Sequence, residues 1–168
     1  DPSSASFPIV SALITPNSKV KVMNVCVNEL RTGLFKTLIE MGAKIKFMNS
    51  REMNGELIAD ILAETSKLNG ITIPKSRAAS MIDEYPILAI ASVKAEGDTI
   101  MEGVEELRYK ETDRIYAVNN ELEKISTSIN TYSDHRMAMS FAPLCLSYDS
   151  ITINNVEVVS KSYKNFWN

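Results

Sequence analysis

The sequence is poor in the residues that staple or metallate small folds: of 168 residues, two are cysteine and one is histidine. Cys26 and Cys145 lie 119 positions apart, and with His135 as the sole imidazole no zinc-type cluster can be assembled. No metal is expected. An excess of positive charge is also lacking. Eighteen basic residues against 21 acidic ones leave a net charge of −3, so there is no broad footprint for nucleic acid and any polyanion contact must be local. The longest apolar stretches, Phe7–Ile14 and Pro86–Val93, fall far short of the ~20 residues that span a bilayer. No basic segment leading into an apolar one opens the chain, so no secretory signal is read. These absences describe a reduced cytoplasmic protein with no membrane partner. An initiator methionine is missing too, and the abrupt start at Asp1-Pro2 is read as that of a piece of something longer.

What is present is ordinary globular chemistry. Hydrophobic residues make up 45% and charged residues 23%, which argues against disorder. A single domain over residues 1–168 is expected, able to bury roughly 70% of its unfolded surface without a staple.

Three stretches share one pattern. They run from Asp1 to Val25, from Asp83 to Val104 and from Asp134 to Val156, spans of 24, 21 and 22 positions. Each begins with an aspartate suited to cap a helix, continues with apolar turns, breaks at polar turn residues and resumes as a β-branched strand. The first two continue alike. Asn28-Glu29-Leu30-Arg31 precedes a helical pattern at Leu34, Leu38 and Ile39, and Glu105-Glu106-Leu107-Arg108, 77 positions later, precedes another at Ile115, Val118 and Leu122. Strand-like runs follow the first helix at Lys44–Met48 and Ala59–Thr65. Repeated helix–strand units predict an α/β domain built by internal repetition. One interval breaks the pattern: 37 residues separate Ile45 from Asp83, but only eight separate Ile125 from Asp134. The deficit points to an omitted segment between residues 125 and 126.

Four places could carry chemistry. Arg108-Tyr109-Lys110-Glu111-Thr112-Asp113-Arg114 opens the helical run at Ile115, with Lys110 and Arg114 on one face. A solvated helix start accounts for the same residues, since Glu111 and Asp113 favour the helix dipole there. Ser133-Asp134-His135-Arg136 lies at another helix start, where free N–H groups and Arg136 suit a phosphate or carboxylate. His135 carries little weight alone. Asp83 stands where strand passes into helix, as a cap or as a reactive carboxylate. Lys161 follows a strand, where most lysines are merely exposed. If the repeats converge, Lys110, Arg114, Arg136 and Lys161 form an anion-binding mouth with Asp83 and Glu111 embedded in it. Four cations with two carboxylates suit a multiply anionic substrate undergoing proton transfer. All six side chains are then expected on one surface.

Glu106 to Ile115 (Glu-Leu-Arg-Tyr-Lys-Glu-Thr-Asp-Arg-Ile), Asp134 to Phe141 (Asp-His-Arg-Met-Ala-Met-Ser-Phe), Ile82 to Pro86 (Ile-Asp-Glu-Tyr-Pro) and the opening Asp1 to Phe7 together resemble the 5-enolpyruvylshikimate-3-phosphate synthase family. The resemblance covers nearly the whole chain. It implies the enolpyruvyl transferase fold, an inside-out α/β barrel of repeated βαβαββ units, with this chain as the C-terminal-side domain of two and the N-terminal-side domain absent. It implies transfer of the enolpyruvyl group of phosphoenolpyruvate to the 5-hydroxyl of shikimate 3-phosphate in the shikimate pathway, without a cofactor and by a monomer. By motif, Asp83 is the proton acceptor at the attacking hydroxyl and Lys110 lies beside the same hydroxyl. Glu111 is the proton-transfer group for the methylene carbon, and Arg114, Arg136 and Lys161 are the phosphoenolpyruvate clamps. His135 and Asp134 are supporting residues. Glu106 stands where some members place an asparagine that contacts shikimate 3-phosphate. The resemblance also implies that this piece alone is inactive. Two rivals stay open, the enolpyruvyl transferase acting on UDP-N-acetylglucosamine and a non-catalytic half-domain that binds anions or a partner domain.

Overall fold

Asp1 starts the first helix by accepting the amides of Ser3 and Ser4 at 3.3 and 2.9 Å, with Pro2 in the first turn where its missing N–H costs nothing. The computed structural model describes residues 1–123, 128–148 and 150–168. Helix α1 (Pro2–Ile14) is buried almost all round and leads into strand β1 (Lys19–Cys26). A 3₁₀ turn at Glu29–Arg31 precedes α2 (Gly33–Glu40), then β2 (Lys44–Met53), β3 (Glu56–Glu64), β4 (Leu68–Asn69) and β5 (Thr72–Ile73). Two 3₁₀ turns, Lys75–Ser80 and Ile82–Glu84, bring the chain to α3 (Tyr85–Val93), followed by β6 (Ala95–Glu96) and β7 (Ile100–Met101). The 3₁₀ turn Glu105–Tyr109 precedes α4 (Arg114–Glu123), and β8 (Ser128–Ile129) precedes α5 (His135–Phe141). Pro143 has no N–H to continue that helix, and the chain tightens to 3₁₀ over Ala142–Leu146. Strand β9 (Thr152–Ile153) and the 3₁₀ turn Val156–Lys161 complete the order.

Each of the three stretches holds one helix followed by strand, within a mixed α/β fold. Helix α3 packs against both α1 and α5, and the three helices bury Ile9, Val10, Leu13, Leu88, Ile90, Met137 and Phe141. Strands flank them. β1, β3 and β2 form an antiparallel sheet in that order, and the pairs β4–β6, β5–β7 and β8–β9 are parallel. Among the described residues the strands close no barrel. Between β4 and β5, Gly70 is needed for close approach to the link between β6 and β7: a Cβ there would lie 2.2 Å from the carbonyl oxygen of Asp98.

The shared capping aspartate holds at two of three positions. Asp1 caps α1, and Asp134 caps α5 by accepting the Arg136 amide at 2.7 Å. Asp83 caps nothing and turns to other partners. The break expected between Ile125 and Ser126 lies outside the described residues.

Candidate functional site

The site is built around Arg114. It is the first residue of α4, and its side chain is only 1% exposed, so its charge must be met by protein. Three carboxylates meet it. Nε donates to Asp134 Oδ2 at 2.8 Å and Nη2 reaches Asp134 Oδ1 at 3.3 Å. Nη1 donates to Asp83 Oδ1 at 2.9 Å, and Nη2 to Glu111 Oε2 at 2.7 Å. Burial disfavours the guanidinium, but Asp134, Glu111 and Asp83 more than offset that, and its pKa is raised. One buried cation thus joins the start of α4 to the turn before α3 and to the cap of α5.

Asp83 and Glu111 are each anchored through one oxygen. Their side chains remain 38% and 48% exposed, and neither Asp83 Oδ2 nor Glu111 Oε1 has a partner among the described residues. Lys110 closes the other side of Asp83, its Nζ 3.4 Å from Oδ1 and 3.2 Å from Glu106 Oε1. Burial would raise the Asp83 pKa, yet the charges of Arg136, Lys110 and Arg114 outweigh it and hold the carboxyl below the ordinary aspartate range. Burial would lower the Lys110 pKa, but Glu106 and Asp83 raise it, so Lys110 is an ammonium at neutral pH. Arg136, in the first turn of α5, lies with Nη1 3.5 Å from Glu84 Oε1. His135, half-buried beside Asp134 and Arg136, has its pKa lowered by burial, so its neutral form is favoured.

Asp83, Lys110, Glu111, Arg114, Arg136 and Asp134 are therefore brought together from three separate stretches of chain. Lys161 is not joined to them: it is exposed at the end of its 3₁₀ turn and has no hydrogen bond or ion pair among the described residues. Arg114 departs from the expectation of an open mouth, because it lies in the wall with four of its five N–H donors engaged. The expected balance of four cations to two carboxylates is also corrected. Three cations, Lys110, Arg114 and Arg136, sit among five carboxylates, Asp83, Glu84, Glu106, Glu111 and Asp134. Glu106 is 67% exposed and acts here on Lys110. The solvated-helix-start reading fits Asp113, which accepts the Tyr116 amide at 2.9 Å and pairs with Arg108, and it also allows the half-exposed Glu111, which pairs with Arg114 three positions on.

Two contributions escape sequence reasoning. Asp134 reads as a cap, yet it also holds the buried guanidinium. Glu84 gives no signal beyond a polar residue ahead of a helix. A groove of about 480 Å³ between α3 and α4, along Ala89, Val93, Ile115, Val118 and Leu122, is mainly apolar and touches the cluster through Arg114.

With this geometry in hand, comparison with known proteins is direct. The model of the EPSP synthase (3-phosphoshikimate 1-carboxyvinyltransferase) family matches residues 1–129 and, as a second block, 125–168. The 3-phosphoshikimate 1-carboxyvinyltransferase of Parvibaculum lavamentivorans is 42% identical over 189 aligned positions, covering 99% of this chain and 42% of its own. That of Methylorubrum extorquens is 43% identical, with coverage of 99% and 42%. The solved EPSP synthase of Acinetobacter baumannii superposes with a TM-score of 0.95 at 35% identity, over 99% of this chain and 44% of that one. The chain spans less than half the length of the relatives it matches. Since the family model matches along its length and a solved member shares its mixed α/β fold, this chain belongs to the EPSP synthase family.

Proposed function

We propose that this chain forms one half of the active site of a 3-phosphoshikimate 1-carboxyvinyltransferase. The observation that carries the reading is the pair of carboxylates, Asp83 and Glu111, bridged by one buried guanidinium with one oxygen of each left free. Adding an alcohol to an enol needs a base at oxygen and an acid at carbon, followed by the reverse proton movement at carbon as the leaving group departs. Asp83 Oδ2 accepts the proton of the 5-hydroxyl of shikimate 3-phosphate as that oxygen bonds to C2 of phosphoenolpyruvate. Lys110 stabilises the charge developing on the oxygen. Glu111, carrying a proton on Oε1 at the start of the step, delivers it to the methylene carbon and takes one back from the resulting methyl group as the double bond re-forms, and phosphate leaves with the proton that came from the hydroxyl.

Arg136, with most of its donors free, and Lys161 act as clamps for phosphate and carboxylate, and Arg114 lends its charge and one remaining N–H from beneath. Glu106 serves through Lys110 rather than by direct contact with shikimate 3-phosphate. Because carboxylates outnumber cations here, the positive charge that two polyanionic substrates require comes from the rest of a longer chain. This domain, 1–168, is then the C-terminal-side one, closing on its partner domain to exclude water. Alignments of 189 positions against 168 residues, together with the two-block family match meeting at 125–129, support an omitted segment after residue 125. Central packing of α1, α3 and α5 with strands outside supports the inside-out arrangement for the complete domain. Two free thiols, Cys26 and Cys145, support a cytoplasmic setting. The match to EPSP synthases disfavours the UDP-N-acetylglucosamine rival.

The test is phosphate release from phosphoenolpyruvate plus shikimate 3-phosphate. No turnover is expected from these 168 residues alone, and turnover is expected once the missing portion is added in trans or restored in one chain. Turnover by the chain alone would refute the half-site reading, and none in the restored chain would favour the anion-binding half-domain.

A further inference from the structure

Glu84 is buried beside Asp83, yet the proton transfers above make no use of it. It stands immediately before α3 and gives that helix no side-chain cap. Its Oε1 instead accepts a hydrogen bond from Ser3 Oγ, in the first turn of α1, and lies 3.5 Å from Arg136 Nη1, in the first turn of α5. The starts of α1, α3 and α5 therefore meet at one carboxylate. Arg31 donates to Ser3 Oγ at 3.4 Å and braces the hydroxyl from outside. The Arg136 guanidinium makes no other hydrogen bond or close ion pair among the described residues, though its charge also acts on Asp83.

We propose that Glu84 is a positioning residue: it holds one edge of the Arg136 guanidinium so that the opposite edge faces an incoming phosphate or carboxylate. The inference rests on the reading of Arg136 as an anion clamp. Two-pronged recognition of an oxyanion needs the guanidinium plane aimed before the ligand arrives, and a long side chain ordered in advance loses less freedom on binding. Burial raises the Glu84 pKa, opposed by Ser3 and Arg136 and reinforced by Asp83, with Arg31 a weaker opposing charge.

Charge alone makes the opposite prediction, and this separates the two. Deleting a carboxylate from a site that binds anions should tighten binding, whereas deleting a positioning residue should weaken it. Titrating the 168-residue chain with phosphoenolpyruvate and following the Arg136 signals by NMR reads the affinity. Glu84→Met is expected to weaken binding roughly 3- to 10-fold, the cost of ordering one long side chain at binding, and Glu84→Gln, which keeps the acceptor, by less. Unchanged or tighter binding in both would overturn the proposal. Nitrogen relaxation of the Arg136 Nε–H, without ligand, gives an independent reading: ordered in the parent chain, most mobile in Glu84→Met and intermediate in Glu84→Gln. An Arg136 already mobile in the parent chain would overturn the proposal. A parent chain in which Arg136 is ordered but insensitive to phosphoenolpyruvate would instead refute the clamp reading, and should Glu84→Met not fold, the Gln variant decides alone.

Discussion

Replacing Asp134 by alanine should be among the most damaging single changes in the molecule, and the structure says by how much. Asp134 is fully buried and does two jobs: it accepts two N–H groups from the buried Arg114 and the amide that starts α5. Removing one partner of a buried ion pair costs about 3–5 kcal/mol, and because Arg114 keeps Asp83 and Glu111 the lower end applies. Loss of the cap adds about 1 kcal/mol. The total, about 4 kcal/mol, is a large share of the ~5–15 kcal/mol that holds a domain together. With a urea slope of about 2 kcal/mol per molar, the unfolding midpoint should fall by about 2 M at unchanged slope. Asp134→Asn keeps a good cap and one acceptor for Arg114 but loses the charge, so it should cost about 1–2 kcal/mol. Urea unfolding followed by tryptophan fluorescence and circular dichroism measures both. A cost for Asp134→Ala below about 1 kcal/mol, the average for any substitution, would refute the claim that Arg114 depends on this partner. Equal costs for the two variants would show that the charge pair and not the cap matters.

In an enzyme with its full length restored, Asp83→Asn and Glu111→Gln should each lower kcat by about 10²–10⁴-fold with little change in the KM for phosphoenolpyruvate, while Arg136→Ala should raise that KM first. Small, equal effects of all three in steady-state assays would favour a solvated helix start. The Asp83 pKa is lowered by folding, so its carboxylate contributes stability above the ordinary aspartate value of ~3.9 and loses it as pH falls through the folded value. The stability gap between the parent chain and Asp83→Asn, measured by urea titration, should therefore shrink between neutral pH and about pH 3, and a gap independent of pH would contradict the charge assignment. Gly70→Ala should cost about 1–3 kcal/mol, because its Cβ meets the backbone carbonyl of Asp98 at 2.2 Å; an unchanged thermal midpoint would show that the two links part freely.

Much of this protein was settled by local chemistry and is visible in its letters. The capping aspartates Asp1 and Asp134, the apolar periodicity behind them and the near-equal spacing of three units specify helix–strand repeats, because hydrogen bonding of a first turn and burial of a stripe depend only on nearby residues. The motifs around Asp83, Lys110–Arg114 and Asp134–Arg136 marked residues that the fold brings together. Tertiary structure decided what those side chains do. Asp83 has the look of a cap, but Arg114, 31 positions away, takes its carboxylate. Arg114 has the look of an exposed cation, but packing of α4 against α3 and α5 desolvates it, and a desolvated guanidinium must gather carboxylates from wherever the fold can bring them. Lys161, equally basic in sequence, stays in water and gathers none. Glu84 illustrates the same limit: its partners Ser3 and Arg136 lie 81 and 52 positions away, and no short-range pattern encodes a meeting of three helix starts.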